Sequence, residues 1–333
     1  MKRREMLSLC GKSVIALGCG GLPAILRAQG RFPSKALTYV VAYTPGSAND
    51  ILVRILAPEL GTQLGQSIIV DNKPGAGGSI GMAAVAQSKA DGYTLGLGST
   101  ATMAINRALY KNLPYDPLRD FESVVKFAST ANVLVVPAGG PAKTLADLKP
   151  RDGKSLMFSS PGNGTTQHLA GVLFSSTTKL PTEHVPYRGP AESVMAVASG
   201  EVDFSLASLP SALAQIRAGR LRVLGCTSLK PPSSLPQAVS LAEQGLPGFE
   251  RTEVWFGLVV PSGTPDQARL ALEQASVQVL GKQDVREKLE QAGYQPANPQ
   301  SEGKFDPFVR EQVAFWADLV MSLIHIPSPR DIS

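Results

Sequence analysis

The sequence predicts an α/β fold with mixed, mainly parallel sheets flanked by helices. Three observations carry the prediction. Short β-rich runs alternate with helical stretches from residue 37 onward. Several strand-to-helix turns consist of Gly, Ser and Thr, and 333 residues is more than one core usually accommodates, so two domains are expected.

Taken in order, 37–43 reads as a strand, followed by the turn Thr44-Pro45-Gly46-Ser47-Ala48-Asn49. A helix then starts near Asp50, the expected N-cap, with Ile51, Leu52, Ile55, Leu56 and Leu60 on one face; Pro58 should kink or shorten it. Next come a strand at 67–70, a Gly-rich loop at 71–78, a helix at 79–87 with Ser79 as N-cap, and a strand at 93–97. After Pro114-Tyr115-Asp116-Pro117 the strands fall at 124–127, 133–136 and 155–158. The turn 159–164 leads into a helix at 165–175. Strands at 183–186, 202–206 and 221–226 then alternate with helices at 191–199 and 209–218. A strand at 253–260 precedes helices at 265–280, 284–291 and 302–321. Such alternation implies right-handed crossovers between parallel strands.

The chain is 43% hydrophobic and 18% charged, a globular composition. No apolar stretch beyond the N-terminus is long enough to span a bilayer, which excludes a multi-spanning membrane protein. The formal charge of +5 is concentrated at one end: residues 1–28 carry a net of +4 and the remainder only +1. No basic cluster elsewhere has the density of a phosphate-tracking surface, so nucleic acid is not an expected partner.

Residues 1–28 have the layout of a secretory signal: Lys2-Arg3-Arg4, an apolar stretch over 14–26, then Ala28 before Gln29-Gly30-Arg31. Arg3-Arg4-Glu5-Met6-Leu7 also resembles a twin-arginine signal, so Sec and Tat export both stay open. Ala16-Leu17-Gly18-Cys19 is a poor lipobox, with Leu where a small residue is wanted, and cleavage after Ala28 is preferred. Cys10 and Cys19 would leave with the signal, and Cys226 would remain as a buried structural thiol with no intrachain disulfide partner.

The turns at 43–50, 98–102 and 159–166 share small residues, hydroxyls and a helix start. Free backbone N–H groups and the helix dipole point to one place in such turns and favour an anion without any charged side chain. The same residues also suit tight α/β turns with no ligand. Gly77-Gly78-Ser79-Ile80-Gly81 matches the G-x-S-x-G nucleophile elbow, but Pro74-Gly75-Ala76-Gly77 separates Ser79 from the strand and no triad pattern surrounds His168, His184 or His325. Gly96-Leu97-Gly98-Ser99-Thr100-Ala101 matches a dinucleotide fingerprint, but the acidic Asp116 lies in a Pro-flanked loop instead of at a strand end. His168 and His184 lack partners at metal-ligand spacing. No cofactor, metal or catalytic residue is expected.

Several motifs occur in an order that resembles the Bug family, the periplasmic solute receptors of tripartite tricarboxylate-type transporters. They include Tyr43-Thr44-Pro45-Gly46 with Asp50, Val70-Asp71-Asn72-Lys73-Pro74-Gly75-Ala76-Gly77-Gly78, and Asp91-Gly92-Tyr93-Thr94-Leu95. Leu113-Pro114-Tyr115-Asp116-Pro117, Gly162-Asn163-Gly164-Thr165, Val185-Pro186-Tyr187-Arg188-Gly189, Gly200-Glu201-Val202-Asp203 and Trp255-Phe256-Gly257 follow. The resemblance covers roughly 32–320. It implies a two-lobed type II periplasmic-binding-protein ("Venus flytrap") fold, with 31–127 plus 251–333 as one domain, 128–250 as the other, and hinges near Phe127 and Glu253. It further implies a monomer, not an enzyme, that captures a small carboxylate and meets membrane transporter subunits. The ligand-binding residues it implies are Tyr43, Gly46, Ser47, Ala48 and Asp50 from the first turn, Ser99 and Thr100 from the second, and Ser160, Asn163, Thr165, Tyr187 and Ala207 from the other domain.

Three departures from the family pattern bear on function. Gly46-Ser47 replaces the common Gly-Gly, adding a hydroxyl. Ala207-Ser208-Leu209-Pro210 replaces Asp-Asn-Leu-Pro, removing an acid that would balance a ligand ammonium, so a carboxylate without an amino group is expected. The tail 322–333 has no amphipathic period, reads like translated adapter DNA, and is expected to be an assembly artefact. The rival readings are a secreted hydrolase using Ser79 and a ligand sensor for a two-component system.

Overall fold

The structure is a computed structural model that describes residues 32–150, 153–300 and 304–324. The export segment with Cys10 and Cys19, His325 and the tail beyond 324 lie outside the described residues. Two sheets organise the chain. The first has the order β11-β4-β10-β3-β1-β2, with β1 Leu37–Val41, β2 Ile68–Asn72, β3 Thr94–Ser99, β4 Phe121–Thr130, β10 Val254–Pro261 and β11 Gln295–Pro296. The second has the order β7-β6-β8-β5-β9, with β5 Asn132–Pro137, β6 Leu156–Ser160, β7 Thr182–Pro186, β8 Phe204–Ser208 and β9 Leu221–Cys226.

Both sheets are mixed, but the expected parallel majority does not hold. Pairs β1–β2, β1–β3, β6–β7 and β6–β8 are parallel, whereas β10–β3, β10–β4, β11–β4, β5–β8 and β5–β9 are antiparallel. The βαβ units are parallel as their crossovers require. β5 enters the second sheet directly from β4, and β10 returns to the first, and each runs against its neighbours. Alternation in the sequence marks crossovers but carries no direction for such strands.

Strands central to each sheet bury both faces, which explains their unbroken apolar runs. In β1, Leu37, Tyr39 and Val41 face one core, while Val40 and, just past the strand, Ala42 face another. In β5, Val133 and Val135 pack on one side and Leu134 and Val136 on the other. The cores are closed by α1 Ala48–Leu64, α2 Ser79–Ala86, α3 Asn106–Leu109, α4 Thr166–Thr178, α5 Pro190–Ser199, α6 Leu209–Arg217, α7 Asp266–Gly281, α8 Gln283–Gln291 and α9 Phe305–Ile324.

Three local expectations need correction. The N-cap of α1 is Ser47, whose Oγ accepts from the Asp50 N–H, so Asp50 stands inside the first turn. Pro58 does not end the helix, which continues to Leu64 before Gly65 takes a left-handed cap at φ 68°. Burial of Leu52, Val53, Leu56 and Leu60 outweighs the one backbone bond that Pro58 cannot donate. Ser79 is likewise not a cap: the N-cap of α2 is Gly78, and Ser79 Oγ donates to the Ala76 carbonyl at 2.6 Å.

The two sheets meet at Asn132, which is fully buried. Its N–H donates to Thr227 Oγ1 at 3.0 Å, its Nδ2 to the Thr252 carbonyl at 3.1 Å, and its Oδ1 accepts from Gln167 Nε2 at 3.2 Å. The Thr227 N–H returns to the Asn132 carbonyl at 2.9 Å. One side chain thus joins the start of β5, the approach to β10 and the first turn of α4. Asn132→Ala leaves the Thr252 carbonyl and Gln167 amide without these partners and should cost about 2–3 kcal/mol. Urea denaturation with an unchanged m-value would measure it; a loss below about 0.5 kcal/mol would contradict the assignment.

Candidate functional site

The turn from β1 into α1 is held by the Asp50 carboxylate. Its Oδ2 accepts from the Gly46 N–H at 2.9 Å, and Arg54 Nε reaches both oxygens at 2.9 and 3.0 Å. Asn72 Nδ2 bonds Asp50 Oδ1 and the Tyr43 carbonyl, both at 3.0 Å. Burial acts to raise the Asp50 pKa, but hydrogen bonds from Arg54, Gly46 and Asn72 outweigh it and hold the carboxyl below its ordinary value. Gly46 has a φ of 79°, which favours glycine at this bend.

The turn presents Tyr43, Ser47, Ala48 and Asn49 to a pocket of about 30 Å³. The other walls are Ser99 and Ala101 after β3, Pro161, Thr166 and Gln167 around the start of α4, Pro190 and Ser208 at α5 and α6, and Val254 and Phe256 of β10. Four helices of eight or more residues (α1, α4, α5 and α6) therefore begin at this pocket. None of the lining residues is Lys, Arg, Asp or Glu.

The backbone N–H groups of Ala48 and Asn49 in α1, and of Thr166 and Gln167 in α4, occupy the first two helical positions, where no intrahelical acceptor exists. Among the described residues they have no other backbone acceptor. The starts of α5 and α6 differ: Pro190 has no N–H, and the Leu209 N–H is taken by the Ala131 carbonyl at 3.0 Å. The first position of each of these two helices thus offers no free N–H, whereas α1 and α4 each present a pair at the pocket wall.

Of the residues expected to bind ligand, the structure brings Tyr43, Ser47, Ala48 and Ser99 to the pocket wall. The others stand behind it or at its edge. Gly46 and Asp50 fix the first turn. Thr100 Oγ1 accepts from the Trp255 N–H at 2.9 Å and ties β3 to β10. Thr165 caps α4, and the exposed Asn163 accepts from Tyr110 Oη at 3.3 Å. Tyr187 Oη donates to Glu201 at 2.8 Å on an exposed face. Ala207 packs in a core with Val133 and Val135, and Ser208 one residue later faces the pocket. Strand alternation could have found Ser208. Asn49 stood inside the turn at 43–50 and Phe256 inside the Trp255-Phe256-Gly257 motif without being singled out. Gln167 and Pro190 carried no local signal, because only the tertiary fold brings them to the pocket.

Behind Pro161, Ser160 Oγ lies 2.7 Å from His184 Nε2, and the His184 ring sits against His168, with centroids 4.3 Å apart. Burial pushes both imidazoles down to about 4, and His184 is further lowered by His168. Among the described residues no group of three or more His, Cys, Asp or Glu could hold a metal ion.

The Gly77-Gly78-Ser79-Ile80-Gly81 segment is accounted for by packing. Gly77 and Gly78 have φ values of 61° and 89°, and a Cβ on Gly81 would lie 2.7 Å from Ala42 Cα and from the Lys73 carbonyl. Gly96 and Gly98 lie inside β3, where a Cβ would press on Val85 and Val259 or on Met103.

The chain matches the family model described as tripartite tricarboxylate transporter family receptor over residues 52–324. BugT of Bordetella pertussis is 31% identical over 328 residues, covering 96% of this chain and 98% of the relative. The solved structure of Rpa4515 of R. palustris with adipate aligns at a TM-score of 0.81 and 32% identity, covering 88% of this chain and 98% of that one. MatC from Rhodopseudomonas palustris with bound malate aligns at 0.81 and 28%, covering 87% and 100%.

The two adjacent buried imidazoles make stability sensitive to acid. Folded-state values near 4 lie below the unfolded value of about 6.5, so between these pH values the unfolded chain takes up protons that the folded chain refuses. Stability is therefore complete above about pH 6.5 and falls toward pH 4, by on the order of 2 kcal/mol for the partly exposed pair. Thermal melts from pH 7.5 to 4.5 should show the decline, and a His168→Gln/His184→Gln double variant should show a shallower one; an equal slope in the variant would refute the assignment.

Proposed function

The chain belongs to the tripartite tricarboxylate transporter receptor family, and on that premise we propose that it captures a dicarboxylate lacking an amino group. It does so in the periplasm and presents the ligand to membrane subunits of such a transporter, without catalysing a reaction. The observation that supports this most is the pocket itself: two pairs of unpartnered N–H groups, from α1 and α4, face it with no cationic side chain between. Carboxylate oxygens are acceptors only, and helix N-termini favour negative charge. One carboxylate at each helix start satisfies all four donors.

An ammonium would have no acidic partner in this pocket. No lining residue is acidic, and both Asp50 oxygens are already engaged by Arg54, Asn72 and Gly46. Adipate and malate, the molecules bound to the two solved relatives, are dicarboxylates without amino groups.

A volume of about 30 Å³ holds roughly one water molecule. A dicarboxylate therefore enters only when the halves part. In this reading the first sheet and its helices form one lobe, the second sheet and its helices the other, and the crossings at Ala131 and near Glu253 act as hinges. The edge contacts suit reversible closure: Tyr110 Oη to the Asn163 carbonyl at 3.3 Å and Arg217 to the Gln291 carbonyl at 3.0 Å are few and partly exposed. The hydrolase alternative lacks support, because the Ser79 hydroxyl donates to Ala76 and no histidine among the described residues engages it.

Thermal shift against succinate, malate, adipate, aspartate and glutamate tests the proposal. A bound dicarboxylate at a hundredfold excess over Kd should add about 2.7 kcal/mol of stability, a Tm rise of several degrees. Aspartate and glutamate should give little, and Ser79→Ala should leave the response unchanged. Tight binding of either amino acid, or hydrolysis of esters that Ser79→Ala abolishes, would overturn it.

A further inference from the structure

Most polar side chains on the pocket wall are satisfied within the protein. Tyr43 Oη donates to the Gly77 carbonyl at 3.0 Å, and Ser47 Oγ accepts from the Asp50 N–H at 3.2 Å. Ser99 Oγ lies 3.2 Å from Thr102 Oγ1, Gln167 Nε2 donates to Asn132 at 3.2 Å, and Ser208 Oγ donates to Ser211 Oγ at 3.0 Å. Asn49 is different. It is only 7% exposed and lines the pocket, yet its Nδ2 is shielded from solvent and has no acceptor. Asn49 sits at the second position of α1, beside the unpartnered N–H groups of Ala48 and of its own backbone. A buried donor without a partner destabilises the free protein, and its persistence in a pocket wall points to an acceptor that arrives from outside.

We propose that the Asn49 amide is the specificity-determining donor of this pocket, completing with the α1 N–H groups a cradle for one ionised carboxylate. The inference rests on the carboxylate reading above and assigns one ligand end to one side chain. The amide adds two N–H donors to the backbone pair, and bonds to an ionised acceptor are the stronger kind. Being neutral, Asn49 selects by geometry and by the need for an acceptor, with no fixed positive charge to hold any passing anion. A ligand end that presents only donors, or none, leaves the amide unpaired and is rejected.

The test separates ligand binding from folding, using isothermal titration with succinate, malate and adipate alongside melts of the unliganded full-length protein. Asn49→Ala should weaken the best-bound of these acids by 10- to 100-fold while leaving the unliganded Tm unchanged or higher, because it deletes an unsatisfied group. Asn49→Asp places a second acid beside Asp50 at a position only 7% exposed, so burial and like-charge repulsion lower the unliganded Tm even though the helix dipole favours the charge. The same charge opposes the carboxylate, and affinity should fall at least 100-fold. A structural role for Asn49 would instead move stability and affinity downward together in Asn49→Ala, and that result overturns the proposal. Affinity within twofold of wild type in Asn49→Ala also overturns it, while the dicarboxylate reading survives. If the wild-type protein binds none of the three acids, the dicarboxylate reading falls and the assignment of Asn49 falls with it.

Discussion

The turn from β1 into α1 depends on a buried carboxylate whose oxygens are both engaged within the protein. Asp50 is 3% exposed and lies in the first turn of a helix whose N-terminus meets the pocket wall. An unpaired acid there would repel the ligand and suffer the cost of burial. Arg54, one helical turn on, binds both oxygens, while Asn72 from β2 and the Gly46 N–H take the remaining lone pairs. Asp50 is thereby neutralised and also becomes a clamp on the turn. It sets Gly46 in its left-handed conformation, leaves the Ser47 hydroxyl to cap the helix, and directs the Ala48 and Asn49 N–H groups into the pocket.

The second sheet arrives at the same place by a different route. Thr165 caps α4 through the His168 N–H and donates to the Gly162 carbonyl at 2.8 Å, which exposes the Thr166 and Gln167 N–H groups. Asn132 then couples the two halves, because it bonds Gln167 on the pocket wall as well as the strands that cross between sheets. Close approach at the edge is possible because Gly189 has no side chain: a Cβ there would lie 2.4 Å from Thr44 Oγ1. Backbone donors thus form the pocket, and side chains mainly hold those donors in position.

The α/β class and nearly all the strands and helices were legible from periodicity, because each central strand buries both faces and each helix buries one. Antiparallel pairing of β5 and β10 was not, since the same apolar run serves either direction. The turns at 43–50 and 159–166, marked in the sequence by their small residues and hydroxyls, both contribute residues to the pocket wall. Which members touch the pocket was not: Ser160 turns to His184, Thr100 to Trp255, and Tyr187 to Glu201. Motif matching assigns a whole turn to the ligand, whereas geometry divides it into residues that face the pocket and residues that brace them.

By itself, the sequence determined the class of fold, the family and the absence of a cationic side chain in the turns where a ligand would sit, because these follow from local patterns of size, polarity and spacing. Only the tertiary structure decided that Asp50 is neutralised by Asn72 and Arg54, that Ser208 and not Ala207 reaches the pocket, and that the Asn49 amide is enclosed there without a partner. Those outcomes depend on groups far apart in the chain sharing a volume from which water is excluded. Whether a polar atom finds a partner in such a volume depends on every element that encloses it.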